Sequence, residues 1–141
     1  MRIELDWTGN IGFTAKTRQF TGITIDEPEE FHGDDRGPSS VEYIGVAIGG
    51  CLGTSFSYCL KRMEVPIKAM SIAIDVNLHH VDIDDDSFLR VTDISAEIDI
   101  TLENDEDAEL LDLCIESYKK YCVVTQSVIA GIPVDVRIKK S

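Results

Sequence analysis

Residues 43–60 carry no charged side chain, in a chain whose 13 basic and 26 acidic residues give a formal net charge of −13. A run this apolar has to leave water. Eighteen residues is the lower limit for a membrane span. This stretch, however, holds Gly45, Gly49, Gly50 and Gly53 together with two tyrosines, two serines and a threonine. It reads as the core helix of a soluble protein and not as a span. The N-terminus begins Met1-Arg2-Ile3-Glu4, with no basic stretch leading into an apolar run, so a cytoplasmic protein is expected.

The helix has clear limits. Ser39, after Pro38, is followed three residues later by Glu42, the spacing of a capping box. Pro66 cannot continue a helix and disfavours α geometry at Val65. About 25 residues give a rod of roughly 38 Å, long for one small domain. Gly45, Gly49 and Gly53 recur every four residues. Each interior glycine costs about 1 kcal/mol of helix propensity, so another backbone is expected close to that stripe, from a helix or a sheet. Ile44, Ile48, Cys51, Ser55 and Cys59 form a second stripe, expected to face packed structure.

Around the helix the pattern is that of sheet. Residues 2–8, 11–17 and 20–26 predict three short strands, with a turn at Gly9-Asn10 and a bulge at Gly22. Ile72, Ile74, Val76 and Leu78 alternate with polar residues, as do Ile94, Ile98, Ile100 and Leu102, which predicts a hairpin closed by a loop at 82–87. Asn104 is the expected cap of a second helix whose inner stripe is Leu110, Leu113, Cys114, Ser117 and Tyr121. A short segment, 123–129, would add one or two helical turns before Gly131. Val134, Val136 and Ile138 predict a last strand. The reading is one α+β domain, residues 1–141, in the order βββ-α-ββ-α-β.

The acidic balance makes nucleic acid and membrane surfaces poor partners. Four cysteines, at 51, 59, 114 and 122, include no CxxC pair. They are expected to be reduced, either packed in the core or chemically active. Cys122 follows two lysines and precedes a helical segment, and a helix N-terminus favours a thiolate. Cys59 and Cys114 read as packing residues. His79 and His80 end a strand on opposite faces and make a poor metal pair. Asp82, Asp84 and Asp86 lack the glycine and the final glutamate of a calcium loop. No Walker lysine, nucleophile elbow or dinucleotide fingerprint occurs, and no cofactor or metal is expected.

The run from Gly37 to Cys51, GPSSVEYIGVAIGGC, and the run from Tyr121 to Ile138, YCVVTQSVIAGIPVDVRI, resemble the OsmC/Ohr family, named for osmotically induced protein C and organic hydroperoxide resistance protein. The predicted element order is similar as well. The resemblance implies curved sheets around a long central helix in an intertwined homodimer. It implies a peroxidatic Cys51 and a resolving Cys122, acting on organic hydroperoxides in an apolar interface pocket and regenerated by a dithiol reductant. The family's glutamate falls at Val41, with Glu42 one residue later, and its hairpin arginine falls near Phe13. Glu42, Arg18 and Arg36 are therefore the candidate supporting residues. The alternatives are a non-enzymatic dimer binding a hydrophobic or thiol-containing molecule, and a dimer whose thiols are inert.

Overall fold

The structure is a computed structural model that describes residues 1–140. The chain forms two compact units, Met1–Val46 with Asp75–Ser95, and Ala47–Ile74 with Ala96–Ser141. The long helix and two long strands have residues in both.

In the first unit, β1 (Glu4–Gly9), β2 (Gly12–Thr17) and β3 (Phe20–Ile25) make an antiparallel sheet in the order β1-β2-β3. The expected bulge is present. Thr21 and Gly22 oppose Lys16 alone, between the pairs Ala15↔Ile23 and Thr17↔Phe20. Gly22 has φ +70°, a left-handed conformation that glycine adopts without strain. At the end of β3, Asp26 is buried, and its carboxylate accepts hydrogen bonds from the backbone N–H of Glu27 (2.9 Å) and from Arg36 Nε (3.0 Å). Burial pushes the Asp26 pKa up; the Arg36 guanidinium and the surrounding N–H groups outweigh it and hold the carboxyl below its ordinary range. This contact closes the polar loop 27–37 and brings the chain to the helix cap. No sequence pattern marks Asp26.

Helix α1 spans Ser40–Arg62. The capping box forms as expected: Ser39 N–H donates to Glu42 Oε2 (2.6 Å), and Glu42 N–H donates to Ser39 Oγ (3.2 Å). The helix is followed by Glu64 at φ 55° and then Pro66.

Strands β4 (Ile67–Ile83) and β5 (Asp86–Leu102) pair as a two-stranded sheet. Both are longer than the alternation predicts. The turn is only Asp84-Asp85, at φ 49° and 70°. Two consecutive left-handed residues make the tight connection whose twist matches a hairpin, and aspartate tolerates it. The remaining acids of the expected loop lie on exposed strand positions. Ile72, Ile74, Val76 and Leu78 are half-buried and the residues between them exposed, as the alternation requires.

In the second unit, Asp105–Asp107 form a 3-10 turn that leads into α2 (Ala108–Tyr121) and then α3 (Val123–Ile129). The Asn104 amide bonds the Asp107 carboxylate (3.3 Å) and caps no backbone N–H. The core is Phe56, Leu60, Val65 and Cys114 with Leu110, Leu111 and Tyr118 around them. The inner stripe of α2 is therefore rotated from the expected one. Tyr118 stacks on Phe56 with ring centroids 5.3 Å apart, while Leu113 and Tyr121 are exposed.

Two expectations are corrected here. Cys59 and Cys114 are a disulfide, with Cα atoms 5.6 Å apart, and are not free packing residues; α1 and α2 cross close enough there for the bond. The last strand is not formed: residues 132–140 adopt neither helix nor strand, and Val134, Val136 and Ile138 are exposed. Alternation specifies a face but supplies no hydrogen-bonding partner, and the described residues of this segment pair with neither sheet. Of the two expected neighbours of the glycine stripe, it is the sheet that lies there, through its side chains. A Cβ on Gly49 would lie 3.1 Å from Ile74 Cγ1, and one on Gly53 would lie 3.2 Å from Ile72 Cδ1.

Gly50, by contrast, has nothing within 4 Å of a would-be Cβ. Gly50→Ala should raise unfolding free energy by about 1 kcal/mol through helix propensity, and Gly49→Ala should not, because Ile74 must yield. Urea unfolding of the two variants measures the contrast. Protein unfolded in guanidinium without reductant should show two titratable thiols, Cys51 and Cys122, to Ellman's reagent. Cys114→Ala should cost about 2–4 kcal/mol.

Candidate functional site

The site is built from three helices of the second unit. Cys51 lies on α1, half-buried. Cys122 is the residue between α2 and α3, wholly buried. The two sulfurs are 3.2 Å apart. A bonded pair sits near 2.05 Å, so about 1 Å of sulfur movement closes a disulfide.

Each sulfur has its own partners. The Val124 backbone N–H, in the first turn of α3, donates to Cys51 Sγ at 3.4 Å. Cys122 Sγ lies 3.1 Å from Thr125 Oγ1. Burial pushes the Cys122 pKa up, but hydrogen bonding from the Thr125 hydroxyl, the Cys51 thiol, the Thr125 N–H and Ser55 together lowers it below the ordinary thiol value. A buried thiol in a chain this acidic thus gains its thiolate character from neutral dipoles.

Cys51 opens onto a cavity of about 880 Å3. One face of α1 forms its wall, through Thr54, Ser55, Tyr58 and Arg62, at the three- and four-residue steps that repeat a helix face. Ser117, Tyr118 and Tyr121 supply the other wall. Cys51 therefore faces open space, where its stripe predicted packed structure. Cys122 is not part of the wall. Among the described residues no cluster of His, Cys, Asp or Glu could hold a metal ion.

The candidate supporting residues have local partners in the first unit. Glu42 is held in the capping box. Arg36 pairs with buried Asp26 and, at 3.6 Å, with Asp34. Arg18 lies in the β2–β3 turn with its guanidinium 5.0 Å from the Phe20 ring centroid. Thr125, Tyr58, Tyr118 and Arg62 were not singled out from the sequence. The first needed the fold, whereas Tyr58 and Arg62 were readable as positions seven and eleven after Cys51.

The sequence profile of OsmC-like proteins matches residues 33–137. The chain belongs to the OsmC-like family. Its fold is also that of solved structures of low identity. A hypothetical protein from Aquifex aeolicus is 21% identical with a TM-score of 0.69, covering 92% of this chain and 87% of that one. An OsmC-like protein of unknown function from Vibrio cholerae is 10% identical with a TM-score of 0.69, covering 89% of this chain and 91% of that one. An organic hydroperoxide resistance protein from Legionella pneumophila is 13% identical with a TM-score of 0.61, covering 90% and 87%. No curated protein sequence matches the chain.

The lowered pKa of Cys122 depends on Thr125. In Thr125→Val the Cys122 thiol should titrate at higher pH, leaving about tenfold less thiolate at neutral pH, the effect of one charge-assisted hydrogen bond. Thiolate ultraviolet absorbance against pH, with Cys51 replaced by serine in both proteins, measures it.

Proposed function

We propose that this OsmC-like chain reduces organic hydroperoxides through Cys51 and Cys122. The observation that carries the reading is the unequal access of two sulfurs in near contact. Only Cys51 borders the cavity, and Cys122 lies buried 3.2 Å behind it. A substrate meets the first sulfur, and the product of that encounter meets the second.

The chemistry balances as follows. The Cys51 thiolate attacks one peroxide oxygen and the O–O bond breaks. The alkoxide leaves and takes a proton to become an alcohol, and Cys51 becomes a sulfenic acid. The Cys122 thiolate attacks that sulfur, the S–O bond breaks, and hydroxide leaves as water after gaining a proton. A dithiol reductant then supplies two electrons and two protons to restore both thiols. The hydrogen bonds that lower the Cys122 pKa favour the resolving step at neutral pH. A cytoplasmic setting, where dithiol donors are available, fits this cycle. A homodimer fits the exposed apolar run Ile132, Val134, Val136 and Ile138, which a second copy would cover.

The engagement of Glu42 and Arg36 with Ser39 and Asp26 favours a second reading, in which the cavity binds a hydrophobic or thiol-containing molecule without turnover. One experiment separates the two. Reduced protein mixed with cumene hydroperoxide should consume one equivalent and form the Cys51–Cys122 disulfide, seen by peptide mass mapping. Cys51→Ser should consume none, and Cys122→Ser should stop at a sulfenic acid trapped by dimedone. Wild-type protein inert to the peroxide would remove the peroxidase reading.

A further inference from the structure

We propose that the Cys59–Cys114 disulfide is a permanent tie that positions Cys122 for the resolving step, and that the dithiol regenerating the Cys51–Cys122 pair leaves it closed. The inference rests on the reading of Cys51 and Cys122 as a peroxide-reducing pair and adds the group that sets their separation.

The two pairs share one layout. Cys51 and Cys59 both lie on α1 and both border the cavity. Their partners, Cys122 and Cys114, are buried. A dithiol entering the cavity therefore meets one sulfur of each disulfide. Attack on that sulfur breaks the S–S bond and expels the buried one as a thiolate. Access does not distinguish the pairs, so the surroundings of the leaving sulfur must.

Those surroundings differ. Cys122 has the Thr125 hydroxyl 3.1 Å away, a donor for a negative sulfur. Cys114 sits in the apolar cluster of Phe56, Leu60 and Val65. Its sulfur meets Met63 Sδ at 3.9 Å, an acceptor with no proton to give. A thiolate expelled there loses its hydration without compensation, so it leaves slowly. At the other pair the reductant's first thiolate bonds Cys51 Sγ, and Cys122 leaves as a thiolate and takes a proton. The reductant's second thiolate then displaces Cys51, which takes a proton as the reductant's own disulfide closes. Two electrons and two protons have passed to the pair.

A tie that survives each reduction has a use at Cys122. That residue ends α2, eight positions after Cys114, and Cys114 is bonded to α1 eight positions after Cys51. The bond thereby holds the resolving sulfur near the 3.2 Å it keeps from Cys51. Speed matters at this step. A sulfenic acid left unresolved meets a second peroxide and becomes a sulfinic acid, which a dithiol does not restore.

The first half of the test needs no variant. Protein oxidised at both pairs is treated with dithiothreitol, quenched and alkylated, and the released cysteines are identified by peptide mass mapping. Cys51 and Cys122 should appear about tenfold faster than Cys59 and Cys114. Equal rates, or earlier release of Cys59 and Cys114, would overturn the proposal. The second half uses Cys59→Ala/Cys114→Ala, or Cys59→Ala/Cys114→Val to refill the core if the first does not fold. Consumption of cumene hydroperoxide, which reads the first attack, should keep its rate. Formation of the Cys51–Cys122 disulfide should fall about tenfold, with sulfinic acid appearing at Cys51. Unchanged disulfide formation, or an equal fall in both rates, refutes the positioning role. If wild-type protein consumes no peroxide, the peroxidase reading fails on its own. Equilibration of the Cys51–Cys122 pair with glutathione then decides the tie. Its removal should lower the effective concentration of the two thiols about tenfold, equivalent to about 30 mV, and an unchanged value refutes it.

Discussion

The approach of α1 to β4 at Gly49 and Gly53 sets the terms for the second unit. Side chains of Ile74 and Ile72 reach to 3.1 and 3.2 Å of where a Cβ would stand, so any larger residue there would have to push the isoleucines back. Fixing that face fixes the rotation of the rod. At 100° per residue, Phe56 and Leu60 fall on the same side as the glycines and enter the core. Cys51, Ser55, Tyr58 and Arg62 fall on the opposite side, roughly 180° away. The glycines thus cost helix propensity and in exchange aim the sulfur away from the sheet, toward a space that packing does not fill.

This rotation also explains what could and could not be read in advance. The cap at Ser39 and Glu42, the stop before Pro66, the three short strands, the bulge at Gly22 and the alternation around Ile72–Leu78 depend on local chemistry, and each is found where the sequence places it. The stripe Ile44, Ile48, Cys51, Ser55 and Cys59 was misread because one helix face meets different surroundings along its length. Ile48 is buried, whereas Cys51 is half-buried and borders the cavity. Apolar periodicity alone does not distinguish a wall from a core. The last strand failed for a different reason, since alternation specifies a face and not a partner. Asp26 was invisible because its burial is compensated by Arg36, ten residues away, and by backbone N–H groups.

The two reduced thiols divide access and reactivity between them. Cys122 lies out of reach of anything in the cavity, and its burial alone would favour the neutral thiol. Thr125, Ser55 and Cys51 reverse that preference without a formal positive charge. Neutral donors suit a strongly acidic chain, because a free cation near a cavity would recruit one of the abundant carboxylates. Arg36 illustrates the point with Asp26 and Asp34. Arg62 stacks on Tyr58 and, among the described residues, forms no salt bridge with a carboxylate; it is the charged side chain among the described residues that line the cavity.

The four cysteines form one arrangement. Cys51 and Cys59 are eight residues apart on α1; Cys114 and Cys122 are eight apart along α2 and its end. Cys59 is bonded to Cys114, and Cys51 meets Cys122, so the two segments run antiparallel with the pairs as two rungs. Ser55 and Tyr118, midway along each, border the same cavity. About 12 Å of helix separates the rungs, too far for direct exchange between the pairs. The closed rung can still act on the open one. A covalent tie two turns away holds the helices in register, so the 3.2 Å between the reduced sulfurs does not depend on side-chain packing alone. Holding reactive groups near bonding distance avoids the entropy of bringing them together in each cycle. The equal spacing of eight was in the sequence from the start. It acquires meaning only once α1 and α2 are known to cross antiparallel.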